Sequence, residues 1–227
     1  MLILNWTFTQ IIPPQSSEIS LKEHELAYLR RGMPTPPLYV TGEADTGVTN
    51  IRNLTSPHWR RWQGVESRCI VPATSFFEYG QTPDPKTKRK PLHWFALNEE
   101  KPLFAFAGIW TTWQGVRKKK EGPAEVDIFG FLTTEPNAVV KPVHPKAMPV
   151  ILRTTEDIET WLLAPWDEAK EMQKPSPDAD FIDFTPTNDN EEEQKNLFSF
   201  FGMSISNGMN KGFHPLSINF STKFTMK

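Results

Sequence analysis

The chain has a single cysteine, Cys69, in 227 residues. An internal disulfide is therefore excluded, and no Cys/His spacing resembles a zinc site. The five histidines (His24, His58, His93, His144 and His214) are scattered along the chain. No run approaches the roughly 18 apolar residues of a membrane span. The opening MLILNWTFTQIIPP lacks a basic n-region and a small-residue cleavage site, so a secretory leader is not expected. Glycine is scarce beside proline, 12 against 21, which predicts many turns and few long helices. The expectation from these absences is a cytosolic, metal-free protein of one domain with tails.

Aromatic residues are plentiful, with 8 Trp and 16 Phe. They suffice for a core and leave rings over for stacking surfaces. The net charge of −2 hides an uneven distribution. Residues 50–153 carry sixteen basic and nine acidic residues, a net of +7, and residues 154–227 carry six basic and thirteen acidic, a net of −7. A basic middle suits an anionic partner; equally, the acidic tail could lie over it.

Leu21, Glu25, Leu26 and Leu29 are spaced as one face of a short helix, with Ser20 as N-cap and Glu23 at the capping-box position. The MPTPP run at 33–37 ends it. His58-Trp59-Arg60-Arg61-Trp62 interleaves rings and cations. That pattern fits stacking and phosphate contact, and it fits an amphipathic helix anchored by two tryptophans. Arg68–Pro72 reads as a buried strand, which makes the Cys69 thiol inert. Glu78 lies in the aromatic run Ser75–Gly80, either as a strand-edge residue facing water or as a placed acid. Residues 92–97 and 103–110 read as strands joined by a hairpin-sized loop at 98–102, and 126–133 as a returning strand after a basic loop at 114–125. His144 stands in a rigid turn among Pro142, Pro145 and Pro149, between two apolar runs. Alone, such a histidine is most simply a surface residue. Thr155 is placed to cap a helix, Pro165 to start a second, and Phe181–Phe184 to form a last strand. From Thr187 the chain turns polar and low in pattern, so 187–227 is expected to be a disordered or loosely docked tail.

Five blocks then occur in order: TNIRN (49–53), RCIVPATSFFEY (68–79), FAFAGIW (104–110), FLTTEPNAVV (131–140) and PVHPKAMPVIL (142–152). Together they resemble the SOS response-associated peptidase (SRAP) family of abasic-site processing proteins. GMPTPP and APWDEAK are similar to one bacterial branch of it. The resemblance implies an α+β fold with a mostly antiparallel, barrel-like β core and short peripheral helices. It divides the chain into a divergent segment 1–31, an SRAP domain 32–186 and the tail. It implies a monomer of the bacterial cytosol that needs no cofactor and acts on single-stranded DNA containing abasic sites, with associated self-cleavage.

Residue by residue, the resemblance places the family's site asparagine at Asn50, its glutamate at Glu78 and its histidine at His144. Arg52 falls on a phosphate-contact position, and Lys146 stands where many members have arginine. Arg60 and Arg61 are further candidates for phosphate. Imine chemistry at the opened sugar needs a proton shuttle near neutral pH, which a histidine and a desolvated glutamate supply. The family begins Met-Cys, and its N-terminal amine and thiol close a thiazolidine on the sugar aldehyde. This chain begins Met1-Leu2 and has Arg31 where the family usually has tryptophan. Both ends look replaced, and the covalent step is expected to be impaired. A non-catalytic single-stranded-DNA-binding remnant is the alternative.

Overall fold

The computed structural model describes the backbone of residues 9–12 and 25–184. The expected tail and the first part of the expected helix at 20–29 lie outside the described residues. Residues 25–28 are not helical. They form β2 (Glu25–Tyr28), antiparallel to β1 (Thr9–Ile12), with Ile12 opposite Glu25 and Thr9 opposite Tyr28. A partner strand offers these residues ladder hydrogen bonds, and that tertiary gain outweighs a short helical pattern.

Next come β3 (Arg30–Arg31), β4 (Asn50–Ile51), β5 (Arg68–Ala73), β6 (Phe76–Tyr79) and β7 (Leu92–Ala96). The long strands β8 (Phe104–Val116) and β9 (Pro123–Thr134) are followed by the two-residue strands β10 (Met148–Pro149) and β11 (Ile151–Leu152). Helices α1 (Thr155–Leu163) and α2 (Trp166–Ala169) and a last strand β12 (Ile182–Asp183) complete the domain.

The strands make two sheets. Nine belong to a large sheet whose main path is β10-β9-β8-β5-β1-β2, with β11 on β8 and both β3 and β4 on β9; the small sheet runs β12-β7-β6. The expected hairpin across 98–102 does not exist, because β7 and β8 lie in different sheets. The hairpin is β8–β9, closed by a turn at 117–122 that is shorter than the expected loop, since pairing continues to Val116 opposite Pro123. Most pairs are antiparallel, but β3 and β4 run parallel to β9. The fold is a mixed, sheet-dominated α+β arrangement, and among the described residues no pairing closes the large sheet's path into a barrel.

Period-two alternation explains the layers. On β8, Phe104, Phe106 and Trp110 enter one core while Ala105, Ala107 and Ile109 enter another; on β9, Phe129 and Phe131 alternate likewise with Ile128 and Leu132. The first core lies between the two sheets and includes Phe76, Phe95 and Phe181. The second lies under the helices and holds Trp161, Leu162 and Ala169. It also receives Trp59 and Trp62, so the His58–Trp62 segment, with its 3-10 turn at Arg60–Trp62, is anchored by two buried rings. Helix α1 is capped by Thr154, one residue before the expected position. Its hydroxyl accepts from the Asp157 N–H, and the Asp157 carboxylate accepts from the Thr154 N–H in return.

Candidate active site

Strands β3 and β4 lie end to end along β9, separated by an excursion at 32–49. Arg31 pairs in register with Phe129, and Asn50 with Phe131. The chain leaves the sheet where the Gly32 N–H donates to the Phe129 carbonyl, and returns where the Phe131 N–H donates to Thr49. Gly32 has φ +120, a conformation that excludes most side chains. At Gly130, between the two junctions, a Cβ would lie 3.0 Å from both Ile51 Cδ1 and Met33 Cγ. The missing side chain lets both arms of the excursion close on β9. Arg117 locks it by donating to the Asp45 and Gly32 carbonyls while stacking on Trp113 at 4.1 Å.

This geometry puts Arg31 and Asn50 on the face of β9 that carries Phe129 and Phe131, toward the small sheet. The Arg31 guanidinium lies 5.2 Å from the centre of the Phe131 ring, and its Nη2 is 3.5 Å from Asn50 Oδ1. Asn50 Nδ2 donates to the Thr49 hydroxyl at 3.2 Å.

Glu78 comes from the facing sheet. On β6 it shares a side with Phe76, whose ring packs on Phe95 and Phe106. Although β6 is an edge strand, Glu78 is 0% exposed, so it does not face water. Burial pushes its carboxyl up to about 7, against smaller downward pulls from nearby positive charge, that of Arg31 among them. Burial also pushes Arg31 down to about 10, with Glu78 opposing. Each group is penalised by desolvation and partly relieved by the other. His93 lies directly opposite Glu78 in the ladder, with Nδ1 3.0 Å from the Asp183 carboxylate.

His144 is carried by a compact loop built on Asn137, which is buried. The Asn137 side chain accepts from the Val140 N–H and donates to the Ser176 carbonyl. The His144 Nδ1 faces its own turn, 2.9 Å from the Ala147 carbonyl. Proton exchange with a substrate must therefore use Nε2. Partial burial holds the imidazole below its usual range, favouring the neutral ring. Gln81, three residues past Glu78, donates to the Val143 carbonyl and docks this loop on the end of β6.

Arg52 continues from Asn50 toward the same loop. It donates to the Lys146 carbonyl at 2.6 Å and the Thr134 carbonyl at 3.1 Å, and its other nitrogen pairs with Glu135 at 3.4 Å. Its guanidinium is thus a tie between β4 and the His144 loop. Gln173 adds a second tie, donating to the Arg52 and Thr133 carbonyls. Lys146 is exposed. Arg60 and Arg61 are also exposed, but on the turn that packs into the helix-side core, and no hydrogen bond or ion pair among the described residues links them to Glu78. Of the basic loop, Arg117 is buried, Lys118 pairs with Glu121, and Lys119 pairs with Glu43. Cys69 is 0% exposed and burial raises its thiol, so it is no nucleophile.

Sequence reasoning missed Arg31 and Gln81 as parts of the cluster. A second arginine after Arg30 carries no local signal, and its place on the inner face is settled only by its register on β9. No group of three His, Cys, Asp or Glu among the described residues could hold a metal ion, and none of their helices is long and apolar enough to cross a membrane.

A model of the SOS response associated peptidase (SRAP) family matches residues 11–189. Three Bacillus subtilis (strain 168) proteins called abasic site processing proteins are similar over shorter spans. YoqW is 39% identical over 98 residues, covering 43% of this chain and 39% of that protein. YoaM is 38% identical over 145 residues, covering 61% and 57%. YobE is 33% identical over 142 residues, covering 61% and 59%. The chain thus matches less than two thirds of the length of each. Among solved structures, a protein from Bacteroides thetaiotaomicron superposes with a TM-score of 0.56 at 24% identity, over 80% of this chain and 74% of that one. A phage-related protein from Bordetella bronchiseptica gives 0.52 at 19% identity, over 77% and 75%. At these identities the two structures bear on the fold alone.

Proposed function

The chain belongs to the SOS response associated peptidase (SRAP) family, and from that membership we propose that it acts on abasic sites in single-stranded DNA, with Asn50, Glu78 and His144 as its working groups. The observation that carries this reading is Glu78: a fully buried carboxyl, raised to about 7, near the charge of Arg31, which itself reaches Asn50, and on a strand that Gln81 ties to the loop bearing His144. A structural glutamate gains little from such a place, whereas a proton shuttle for carbonyl chemistry needs it.

An abasic deoxyribose opens to an aldehyde at C1′. When an amine of the protein adds to that carbon, the nitrogen gives up a proton and the carbinol oxygen takes one as it leaves as water; loss of a C2′ proton from the imine then expels the 3′ phosphate and breaks the strand. Glu78 accepts and returns these protons. His144, neutral at pH 7, exchanges a proton through Nε2 with the ring oxygen as the sugar opens. Asn50 orients the reacting carbonyl. Arg52 and Lys146 meet the flanking phosphates at the mouth of the cluster, and Arg60 and Arg61 add attraction further along the strand. Cys69, the single cysteine of these residues, is sealed in the core and supplies no accessible thiol for a thiazolidine.

The test is a single-stranded oligonucleotide with one abasic site, incubated with the protein and resolved on a denaturing gel. Incision of the strand is expected, without a thiol-dependent, heat-stable adduct. Glu78→Gln and His144→Ala should each lower incision by roughly 100-fold or more while intact-strand binding persists. Incision by both variants at the wild-type rate would refute the assignment. Binding without incision, unchanged in both variants, would favour a non-catalytic single-stranded-DNA-binding protein.

A further inference from the structure

Arg52 is held at both ends. Its carbonyl accepts from Gln173, and its Nη1 donates to the Lys146 carbonyl at 2.6 Å and the Thr134 carbonyl at 3.1 Å. It follows Ile51, which is buried and paired with Leu132 on β9. A guanidinium is a planar fork, so fixing one nitrogen fixes the direction of the others. The Nη2 edge remains, on a side chain that is 43% exposed. Glu135 stands at that edge. Its Oε1 lies 3.4 Å from Nη2, and its side chain is 81% exposed. Its backbone is set by its neighbours: Thr134 ends β9, and Pro136 restricts the residue before it to an extended conformation.

An exposed ion pair with one long contact is weak, because water screens both charges and little holds the carboxylate in place. A phosphodiester has two unbridged oxygens and can take the same edge with two short, charge-assisted bonds. It cannot do so while a carboxylate stands there, since the two anions repel at contact distance. We propose that Glu135 is a gate on a phosphate seat at Arg52: it neutralises the guanidinium until a phosphodiester displaces it, and so weakens the grip of the site on any strand. The inference rests on the reading of Arg52 as a phosphate contact in single-stranded DNA. Binding at this seat exchanges one anion for another, which gives it a distinct salt dependence. A free arginine that meets phosphate releases condensed cations from the nucleic acid, whereas here the displaced carboxylate gathers cations as it is freed. The Arg52 contact therefore adds less than the ordinary share of about 0.7 to the log–log salt slope for single strands.

The experiment has two arms on the full chain. In the first, NMR follows the Arg52 Nε–Hε resonance, assigned by its loss in Arg52→Lys, against inorganic phosphate at constant ionic strength and without DNA. Glu135→Gln should shift that resonance before phosphate is added, and phosphate should then act at a concentration lower than in wild type by about threefold or more. In the second arm, fluorescence anisotropy over a salt series measures binding of an intact single-stranded oligonucleotide. Glu135→Gln should bind it more tightly at low salt, by about threefold or more, and steepen the slope by up to about 0.7. Glu99→Gln removes an equal charge from an exposed turn and should change the slope far less. Equal phosphate titrations of Arg52 in wild type and Glu135→Gln overturn the proposal. So does a Glu135→Gln protein whose DNA binding matches that of Glu99→Gln. Both glutamates lie at the surface, so neither substitution disturbs the core. If wild type and Glu135→Gln both fail to bind the oligonucleotide while the phosphate arm gives the expected result, the DNA reading is refuted and the gate stands.

Discussion

Glu78 makes stability depend on pH in a direction that can be worked out. Its folded value is raised to about 7 from an ordinary 4.5. Between those values the folded state binds more protons than the unfolded one, so stability falls as pH rises. The contribution is intact below about pH 4.5 and is lost through pH 7. Glu78→Gln removes the ionisation, so the variant should be more stable than wild type at pH 8, by up to about 3 kcal/mol, with little gain at pH 5. Urea unfolding at the two pH values measures this; equal gains at both would argue that Glu78 ionises freely in the folded protein. Arg68 behaves differently. It is 1% exposed, donates to the Gln63, Trp161 and Ala164 carbonyls, and lies between the Trp161 and Trp166 rings. It thereby ties β5 to the end of α1. Arg68→Met should cost about 3 kcal/mol or more, since buried carbonyls lose their donors, and denaturant melts should show no pH dependence of that loss. Its sequence neighbourhood read correctly as a buried strand, but nothing local revealed that the arginine was inside. Three carbonyls from segments up to 96 residues away receive it.

At the scale of elements, the excursion at 32–49 decides where the cluster stands. Asp45 holds it from within, accepting from the Thr35 N–H and hydroxyl and the Gly47 N–H, and Arg117 holds it from outside. Gly130 is the seat on which it closes. Gly130→Ala would press a methyl against Met33, Ile51 and the Val48 carbonyl, which lies 3.2 Å from the Cβ position. The expected loss is about 1–3 kcal/mol. Hydrogen exchange should rise at Met33 and Val48, whose amides bond each other's carbonyls, and not in α1. Uniform loss of protection across the domain would count against this local account. The prolines and turn residues of 33–57 made the segment legible as irregular. Its return to β9, two residues beyond where it left, was not legible, because parallel two-residue strands have no sequence period. For the same reason the segment at 25–28 read as helix. Four residues with one leucine fit either period, and only β1 chose between them.

At the scale of the whole molecule, the excess of sixteen basic over nine acidic residues at 50–153 overstates the charge available to a nucleic acid. Arg68 and Arg117 are buried, and Lys118 and Lys119 have acidic partners. Arg60→Ala with Arg61→Ala should weaken single-stranded DNA binding across sequences and reduce the log–log salt slope by about 1.4, at roughly 0.7 per phosphate contact. Arg117→Met should leave the slope unchanged. Fluorescence anisotropy over a salt series separates the two; a slope lost with Arg117 would mean that the excursion opens on binding.

The sequence alone determined the character of the chain: a sheet-rich protein with a buried, inert cysteine, two amphipathic helices after the proline-rich turn, and Asn50, Glu78 and His144 as the residues of interest. Alternation, caps and prolines act over a few residues, so a linear text records them. The tertiary structure decided what those residues face. It split the expected β7–β8 hairpin between two sheets, turned Arg52 into a tie on the His144 loop, and set Arg31 against Asn50 and the Phe131 ring. These outcomes depend on register between segments tens of residues apart, and on burial, which shifts a carboxyl only once the opposite sheet has closed over it.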